Sequence, residues 1–211
     1  MKPEKLMIQD KSLSHYGGRY SKLIDPMMEE SRDRIVRQIP EQATVLDIGC
    51  GTGALCFDLR RKKQCTVVGA DRSVQMLTFA REHNPYAEVH FIHQDATHLN
   101  DIADGSFDYA VAAYVIHELD AIAQQALVRE AWRVAQSVIL VDANAPLPWN
   151  LIGVIKRAPE LGFGYEHYPR FRDYQAAGGI MGILRVAGLD QTVTHRELFA
   201  QTCNQIVVLA H

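Results

Sequence analysis

The sequence lacks a long apolar run, and neither sign of charge is in excess. No stretch approaches the roughly 18 consecutive apolar residues that a membrane-spanning helix needs. The chain carries 22 Lys and Arg against 25 Asp and Glu, with a net charge of −3. Such a balance provides no basic footprint for nucleic acid. We therefore expect no membrane span and no nucleic-acid partner, and the N-terminal residues do not resemble a secretory signal.

Cysteine is scarce, and its spacing does not suit a metal site. The four cysteines are Cys50, Cys56, Cys65 and Cys203, and none of them forms a C-x-x-C pair. This pattern argues against a zinc ribbon and against a redox dithiol. Scattered thiols in a chain of this size suit a reducing compartment, so a cytoplasmic location is expected. No spacing of His, Asp or Glu indicates a metal ion, and none is expected.

From residue 44 onwards, predicted strands alternate with predicted helices. Strands are predicted at 44–48, 66–70, 87–92, 107–113 and 137–142. Helices are predicted at 25–39, 53–63, 73–83 and in the stretch after residue 113. That last helix has the clearest apolar face, at i, i+3, i+4, i+7 spacing: Leu119, Ile122, Ala123, Ala126, Leu127, Ala131 and Val134. The alternation predicts a parallel sheet covered by helices on both faces.

The final part of the chain follows a different pattern. After a helix that ends near residue 187, two predicted strands at 192–198 and 203–210 are joined by a link too short for a crossover helix. The last strand should therefore run antiparallel to its neighbour. The predicted fold is α/β, a doubly wound Rossmann-like sheet of seven strands with an antiparallel last strand, forming a single domain over 1–211. Residues 1–40 are expected to form an N-terminal cap segment, and 143–174 a lid or substrate insert.

A glycine-rich turn follows the first predicted strand, where residues 45–53 read VLDIGCGTG. Gly49, Gly51 and Gly53 lie at the carboxyl end of a parallel strand, where ligands bind in such sheets, and lead into a helix N-terminus. The pattern also satisfies the dinucleotide fingerprint, which would indicate an NAD-type oxidoreductase.

Asp47 favours a different ligand. A buried carboxylate beside the turn would repel a pyrophosphate, whereas it would attract an ammonium group. S-adenosylmethionine carries such a group, with adenosine at one end, an amino acid at the other and a sulfonium between them. The second half of the chain also has no second glycine-rich turn for a nicotinamide half-site.

Residues 44–142 resemble the class I S-adenosylmethionine-dependent methyltransferases, especially the small-molecule group that includes the ubiquinone and menaquinone pathway enzymes. The resemblance implies that the glycine turn wraps the methionine portion and that Asp71 holds the ribose. It also implies that Arg72 and Met76 flank the adenine, whose edge meets Asp95 and Ala96. Residues 114–119 (YVIHEL) would border the sulfonium and the acceptor. The cofactor-binding residues expected within the core are Asp47, Gly49, Cys50, Gly51, Gly53, Asp71, Arg72, Met76, Asp95, Ala96 and Ala113.

Two further groups of residues are candidates for the site. In similar enzymes an N-terminal aromatic segment folds over the cofactor, so Tyr16 and Arg19 are expected to contact it, although a packed surface loop is an equal alternative. His117, Glu118 and His167 are the candidate catalytic residues. His117, just beyond the fourth strand, is expected to face the cleft as a general base; the alternative is a structural histidine, with Glu118 opening the next helix.

The segment 143–174 is long for a strand-to-helix connection and combines aromatic with charged side chains. We expect it to hold the acceptor, with His167 and Arg170 as anchors and Tyr165 and Tyr168 as walls, in a pocket of roughly 300–1,000 Å³. The predicted function is methyl transfer from S-adenosylmethionine to a small molecule. An NAD-type oxidoreductase and a non-catalytic S-adenosylmethionine-binding module stay as alternatives, and a homodimer is compatible with the sequence.

Overall fold

The structure is a computed structural model, and it describes residues 25–148 and 167–211. Its strands are β1 (Thr44–Ile48), β2 (Thr66–Asp71), β3 (Val89–His93), β4 (Phe107–Ala113), β5 (Ala135–Ala143), β6 (Val193–Phe199) and β7 (Asn204–Ala210). Its α-helices are α1 (Glu29–Gln38), α2 (Ala54–Lys63), α3 (Val74–Glu82), α4 (Ala121–Val134), α5 (His167–Ala176) and α6 (Gly179–Ala187). Short 3₁₀ helices lie at Asp25–Met28, Ile116–Glu118 and Asp190–Thr192.

The strands form one seven-stranded sheet in the order β3-β2-β1-β4-β5-β7-β6. The pairs among β1 to β5 are parallel, whereas β7 runs antiparallel to both β5 and β6. The predicted fold class, the seven strands and the antiparallel last strand are thus confirmed. The strand order reverses between β1 and β4, and the carboxyl ends of these two strands form the crevice where open α/β sheets bind ligands.

Each face of the sheet is covered by a separate apolar layer. Alternate residues of one strand point to opposite faces, so Val45 joins the layer under α1, α2 and α3, and Leu46 joins the layer under α4, α5 and α6. Burial on both faces explains why the strands read as nearly continuous apolar runs.

Polar caps fix where the helices begin at the carboxyl edge of the sheet. The Asp120 carboxylate accepts hydrogen bonds from the backbone N–H groups of Ile122 and Ala123 at 3.0 and 2.9 Å and starts α4. The Ser73 hydroxyl accepts one from the Met76 N–H at 3.3 Å and starts α3. The loops that carry the predicted site residues therefore have defined ends.

One residue of the predicted apolar face of α4 is exposed and not buried. Leu127, Ala131 and Val134 are buried as expected, but Ile122 is 83% exposed. It lies in the first turn, directly after the Asp120 cap. The prediction for Ile122 is therefore wrong, since the buried face of α4 runs through Gln124, Leu127 and Ala131 and leaves Ile122 outside it.

Candidate active site

Two adjoining cavities open along the carboxyl edge of the sheet, with volumes of about 220 and 350 Å³. The smaller lies over the loops after β2 and β3, and the larger over the glycine turn after β1. We call them the β3-side cavity and the β1-side cavity. They share five lining residues: Gly49, Asp71, Arg72, Val115 and Glu118. The two cavities therefore form one continuous cleft.

The glycine turn is tied to the end of β2 and leaves room in front of it. The N–H groups of Gly49 and Cys50 donate to the Ala70 carbonyl at 2.7 and 3.1 Å, and the Gly51 N–H donates to the Asp71 carboxylate at 2.8 Å. Gly51 has a φ of +53°, and a Cβ built on it would meet no atom within 4 Å. Its lack of a side chain leaves open space on the cavity side of the turn, a cradle shaped for a ligand.

Gly53, at the start of α2, has a different function and does not line either cavity. A Cβ at this position would lie 2.7 Å from the ring of Phe91. The residue therefore permits close packing of α2 on β3, and its predicted contact with the cofactor stays a prediction.

Asp47 is an acid buried in the wall of the β1-side cavity. The residue is 3% exposed, and its carboxylate accepts a hydrogen bond from the Cys56 thiol at 3.2 Å. Burial, reinforced by the nearby charge of Asp71, raises the pKa of Asp47 to about 7. A buried carboxylate with a thiol as its neutral partner is suited to an added cationic group.

The wall of the β3-side cavity is formed by the loops after β2 and β3. Asp71 sits between the two cavities, and its second carboxylate oxygen accepts from the Ser73 N–H at 2.7 Å. The Asp95 carboxylate accepts from the backbone N–H and the hydroxyl of Thr97 at 2.8 and 2.7 Å, and these bonds lower the pKa of Asp95. Ala96 follows in the same wall. The structure thus brings together the residues predicted for the ribose and the adenine.

The other predicted residues of the core also meet at the cleft. Arg72 lines both cavities, and three more line the β1-side cavity: Cys50, Met76 and Ala113. The loop after β4 packs directly on the glycine turn, since a Cβ on Gly49 would lie 2.1 Å from a methyl group of Val115. The close contact of this loop with the turn therefore also favours glycine at position 49.

His117 is held away from the cleft. It is 8% exposed, lines neither cavity, and its Nδ1 lies 2.7 Å from the carboxylate of Asp142, a fully buried residue of β5. The other oxygen of Asp142 accepts from the His117 N–H at 3.2 Å. The rings of Phe171 and Tyr174 pack edge-on against the imidazole. The expectation that His117 faces the cleft is therefore not met, because it lines neither of the two described cavities. Its role as a base stays a prediction.

Glu118 and Arg170 do reach the cleft. Glu118 lines both cavities and Arg170 lines the β3-side cavity. A guanidinium N–H of Arg170 donates to the backbone carbonyl of Glu118 at 3.1 Å. Helix α5 thus brings one predicted anchor of the 143–174 segment to the cavity rim.

Several predictions lie outside the described part of the chain. These concern Tyr16, Arg19 and Tyr165, and the side chains of His167 and Tyr168. The same holds for most of the N-terminal cap segment and for the middle of the predicted lid. Their expected contacts stay predictions.

The structure also adds residues that the sequence analysis missed. The β1-side cavity is lined by members of the first described turn and of α1, namely Asp25, Met28, Ser31, Arg32 and Ile35, beside Tyr114 of the predicted segment 114–119. The Asp25 carboxylate accepts from the Thr52 hydroxyl at 2.8 Å and so ties this region to the glycine turn. No local motif marks these positions, because helix α1 reaches the cleft only through the tertiary fold.

The charges around the cleft favour a cationic ligand. Four acids line the β1-side cavity, namely Asp25, Asp47, Asp71 and Glu118, beside the two cations Arg32 and Arg72. Arg32 is already paired with Asp58 at 2.9 Å. A pyrophosphate would meet net repulsion here, whereas a ligand bearing ammonium and sulfonium groups would be attracted.

The described residues also bear on metal binding and on membrane insertion. Within 25–148 and 167–211, no cluster of three or more His, Cys, Asp or Glu side chains is arranged to hold a metal ion. Over the same ranges, no helix has the length and apolar character needed to cross a bilayer.

Comparison with protein families matches residues 45–137 to the family described as "Methyltransferase domain". Among curated proteins, the chain is 29% identical over 153 residues to an O-methyltransferase, cnsE, of Penicillium expansum, an alignment that covers 65% of this chain and 55% of that protein. It is 38% identical over 72 residues to trans-aconitate 2-methyltransferase of Azoarcus sp. strain BH72, covering 33% of this chain and 28% of that protein. The chain thus spans about half, or less, of the length of these relatives.

The fold is similar to that of solved structures. A SAM-dependent methyltransferase from Aquifex aeolicus superposes with a TM-score of 0.65 at 18% identity, covering 92% of this chain and 97% of that one. At this identity the similarity concerns the fold, and it covers more of the chain than residues 45–137.

Proposed function

We propose that this chain, which belongs to the class I S-adenosylmethionine-dependent methyltransferases, transfers a methyl group from S-adenosylmethionine to a small-molecule acceptor. The observation that carries the proposal is Asp47, a carboxylate buried in the cavity wall beside an open glycine cradle. A buried acid with a pKa of about 7 is destabilising unless a cation binds next to it.

The residues of the cleft fit the cofactor in a defined order. Asp47 would pair with the ammonium group, and Asp71 would accept from the ribose hydroxyls. Asp95 and the Ala96 N–H would meet the edge of the adenine. In the β1-side cavity, Arg32 lies within the predicted cap segment, and beside its pairing with Asp58 it would attract the carboxylate of the methionine portion.

Bound S-adenosylmethionine supplies a methyl group attached to a positively charged sulfur, which is already activated for displacement. The chain therefore has mainly to orient and enclose the reactants. The turn after β1 and the β4 loop fix the methionine portion. An acceptor that carries a proton also needs a base within reach.

His117, which lines neither cavity, stays the candidate base that the sequence predicts, with Asp142 as its positioning residue, and would act only on an acceptor that enters beyond the two described cavities. A carboxylate at Nδ1 favours the tautomer with hydrogen on Nδ1 and leaves Nε2 as the basic nitrogen. Glu118, which lines both cavities, would act on the acceptor directly.

We propose an acidic or phenolic acceptor bound at the rim near Arg170. The guanidinium lines the β3-side cavity and is oriented by its bond to the Glu118 carbonyl. The planar guanidinium can donate two parallel hydrogen bonds to the two oxygens of a carboxylate. The names of the two relatives, one acting on trans-aconitate and one an O-methyltransferase, support this choice of acceptor class.

The NAD-type alternative is disfavoured by charge and by topology. The β1-side cavity presents four acids where a pyrophosphate would bind. The sheet also places an antiparallel β7 between β5 and β6, in contrast to the dinucleotide-binding order 3-2-1-4-5-6.

Calorimetry tests the cofactor assignment. We expect S-adenosylmethionine and S-adenosylhomocysteine to bind in the micromolar range and NAD not to bind. Asp71→Ala should weaken binding by about 1.5–3 kcal/mol, the scale of a lost charge-assisted hydrogen bond. Asp101→Ala, an exposed acid outside both cavities, is the matched control. Binding of NAD without any response to S-adenosylhomocysteine would refute the proposal.

Methyl transfer to trans-aconitate and to a catechol tests the acceptor class. Arg170→Ala should impair transfer to the carboxylate acceptor at least tenfold while S-adenosylhomocysteine affinity stays within about threefold, under 1 kcal/mol. Arg172→Ala, an exposed arginine two positions away, should change neither quantity. If Arg170→Ala loses cofactor affinity and turnover equally, Arg170 is not an anchor for the acceptor. If the wild-type protein binds the cofactor but methylates no acceptor, the non-catalytic module is favoured.

The four cysteines are all free thiols. This supports our proposal of a reducing, cytoplasmic location.

A further inference from the structure

Tyr114 occupies the point where the two halves of the expected ligand meet. It is the first residue after β4, at the reversal of strand order, and it lines the β1-side cavity together with Asp47, Gly49 and Asp71. If Asp47 holds the ammonium and Asp71 the ribose, the sulfur lies between them. An aromatic residue at this position therefore borders the only part of the cofactor whose charge changes in the reaction.

The backbone of Tyr114 adopts a conformation that bulky residues rarely take. Its φ is +58°, in the left-handed region, where asparagine or glycine would be less strained. The conformation is held by the Tyr114 N–H, which donates to the Val141 carbonyl at 2.8 Å. A strained residue kept in a cavity wall indicates a functional demand on its side chain.

The phenol group of Tyr114 is occupied by protein partners. Its Oη accepts a hydrogen bond from the Asn204 amide at 2.8 Å and lies 2.7 Å from the Ser31 hydroxyl. Burial raises the pKa of Tyr114 well above its usual range. The hydroxyl therefore anchors the side chain between α1 and β7, and the group left to act on a ligand is the ring.

We propose that the ring of Tyr114 discriminates between the charged sulfonium of S-adenosylmethionine and the neutral thioether of S-adenosylhomocysteine. The negative face of an aromatic ring attracts a cation and gains nothing comparable from a neutral sulfur. Tyr114 would thus favour the methyl donor and help to release the product. This inference rests on the proposed function and adds a specificity-determining residue to it.

The test is the ratio of the two affinities, measured by calorimetry on the full chain. Tyr114→Phe removes the hydroxyl and keeps the ring, so both ligands should weaken alike and the ratio should be retained. Tyr114→Leu removes the ring, so the preference for S-adenosylmethionine should fall by about three- to tenfold. Tyr109, an aromatic residue of β4, lines neither cavity, so Tyr109→Leu is the matched control and should keep the wild-type ratio.

A purely structural role for Tyr114 would lower both affinities equally and leave the ratio unchanged. The inference is overturned if the ratio of the two affinities is unchanged in Tyr114→Leu, or if the ratio falls as far in Tyr114→Phe, which keeps the ring, as in Tyr114→Leu. Failure of the proposed function is distinguishable, because the wild-type protein would then bind neither ligand, or would bind both without transferring a methyl group.

Discussion

Asp47 is the residue at which stability and ligand binding are most directly opposed. In the unfolded chain an aspartate has a pKa near 3.8, and in the folded protein burial raises the pKa of Asp47 to about 7. Between pH 3.8 and about pH 7, Asp47 is mostly protonated in the folded protein but mostly ionised in the unfolded chain. Stability is therefore lost as the pH rises through this interval, by at most about 4 kcal/mol for a shift of this size.

Asp47→Asn should stabilise the cofactor-free protein, because the amide has the same shape and no charge to bury. We expect a gain of about 1–4 kcal/mol at pH 8 and a much smaller gain at pH 5, measured by urea unfolding. Asp101→Asn is the control and should have no effect at either pH. A gain that is the same at both values would show that the charge of Asp47 is not the cause.

The same pKa predicts how cofactor binding depends on pH. The ammonium group of S-adenosylmethionine prefers the ionised carboxylate, so affinity should fall below pH 7, by up to about tenfold per unit. In Asp47→Asn the affinity should be low and should no longer vary in this range. A wild-type affinity that stays constant from pH 5.5 to 8 would argue against contact between Asp47 and the ammonium.

The pairing of His117 with Asp142 predicts a second result at the residue scale. If the acceptor carries an O–H or N–H proton, His117→Ala should lower turnover by roughly a hundredfold or more with cofactor affinity nearly intact. Asp142→Asn should lower turnover and alter the pH profile, since the amide no longer favours the same tautomer. A normal rate in His117→Ala would leave the histidine a structural role.

At the scale of elements, two glycines with different surroundings should give opposite results. Gly51 faces open space in the cleft, whereas in α6 a Cβ on Gly182 would lie 1.6 Å from the backbone carbonyl of Ala177. We expect Gly182→Ala to destabilise the fold by about 1–3 kcal/mol despite the better helix propensity of alanine. Gly51→Ala should cost less stability but most of the cofactor affinity.

Urea unfolding and calorimetry on the two variants separate these effects. A folded Gly182→Ala protein should retain its affinity for S-adenosylhomocysteine. Greater loss of affinity in Gly182→Ala than in Gly51→Ala would mean that the cradle has been assigned to the wrong glycine.

The elements themselves are largely predictable from the sequence. Strand ends follow from the alternation of apolar runs and polar turns, so Asp47, Asp71 and Asp95 are recognised as residues of one edge of the sheet. Each belongs to a local motif directly after or within a strand. Their meeting in one cleft follows from parallel topology alone.

Contacts between segments that are distant in the sequence are not predictable in this way. Arg32 and Asp25 arrive through the packing of α1, and Asp142 meets His117 across 25 positions of sequence. The left-handed backbone of Tyr114 has no signature in residue type, since tyrosine is among the residues least expected there. Ile122 satisfies helical periodicity, yet its place in the first turn of α4 leaves it exposed.

For the whole molecule, ligand binding should appear as added thermal stability. S-adenosylhomocysteine at a hundred times its Kd should stabilise the folded state by about 2.7 kcal/mol, which raises the Tm of a domain of this size by about 5–10 °C. NAD at the same concentration should leave the Tm unchanged. Thermal unfolding followed by circular dichroism measures both, and an equal rise with NAD would contradict the assignment of the cleft.

The position of β7 determines the order in which this sheet can assemble. Ala143 pairs with Asn204 and Ser137 with Ala210, so β5 and β7 meet across more than sixty positions of sequence. Closure of so long a loop is slow, and β6 depends on β7 for its place in the sheet. Until the hairpin docks, the buried residues of β5 form an unprotected strand edge. The folding chain is therefore most prone to aggregate just before its last hairpin docks, and a chaperone that covers this edge would raise the yield of refolding.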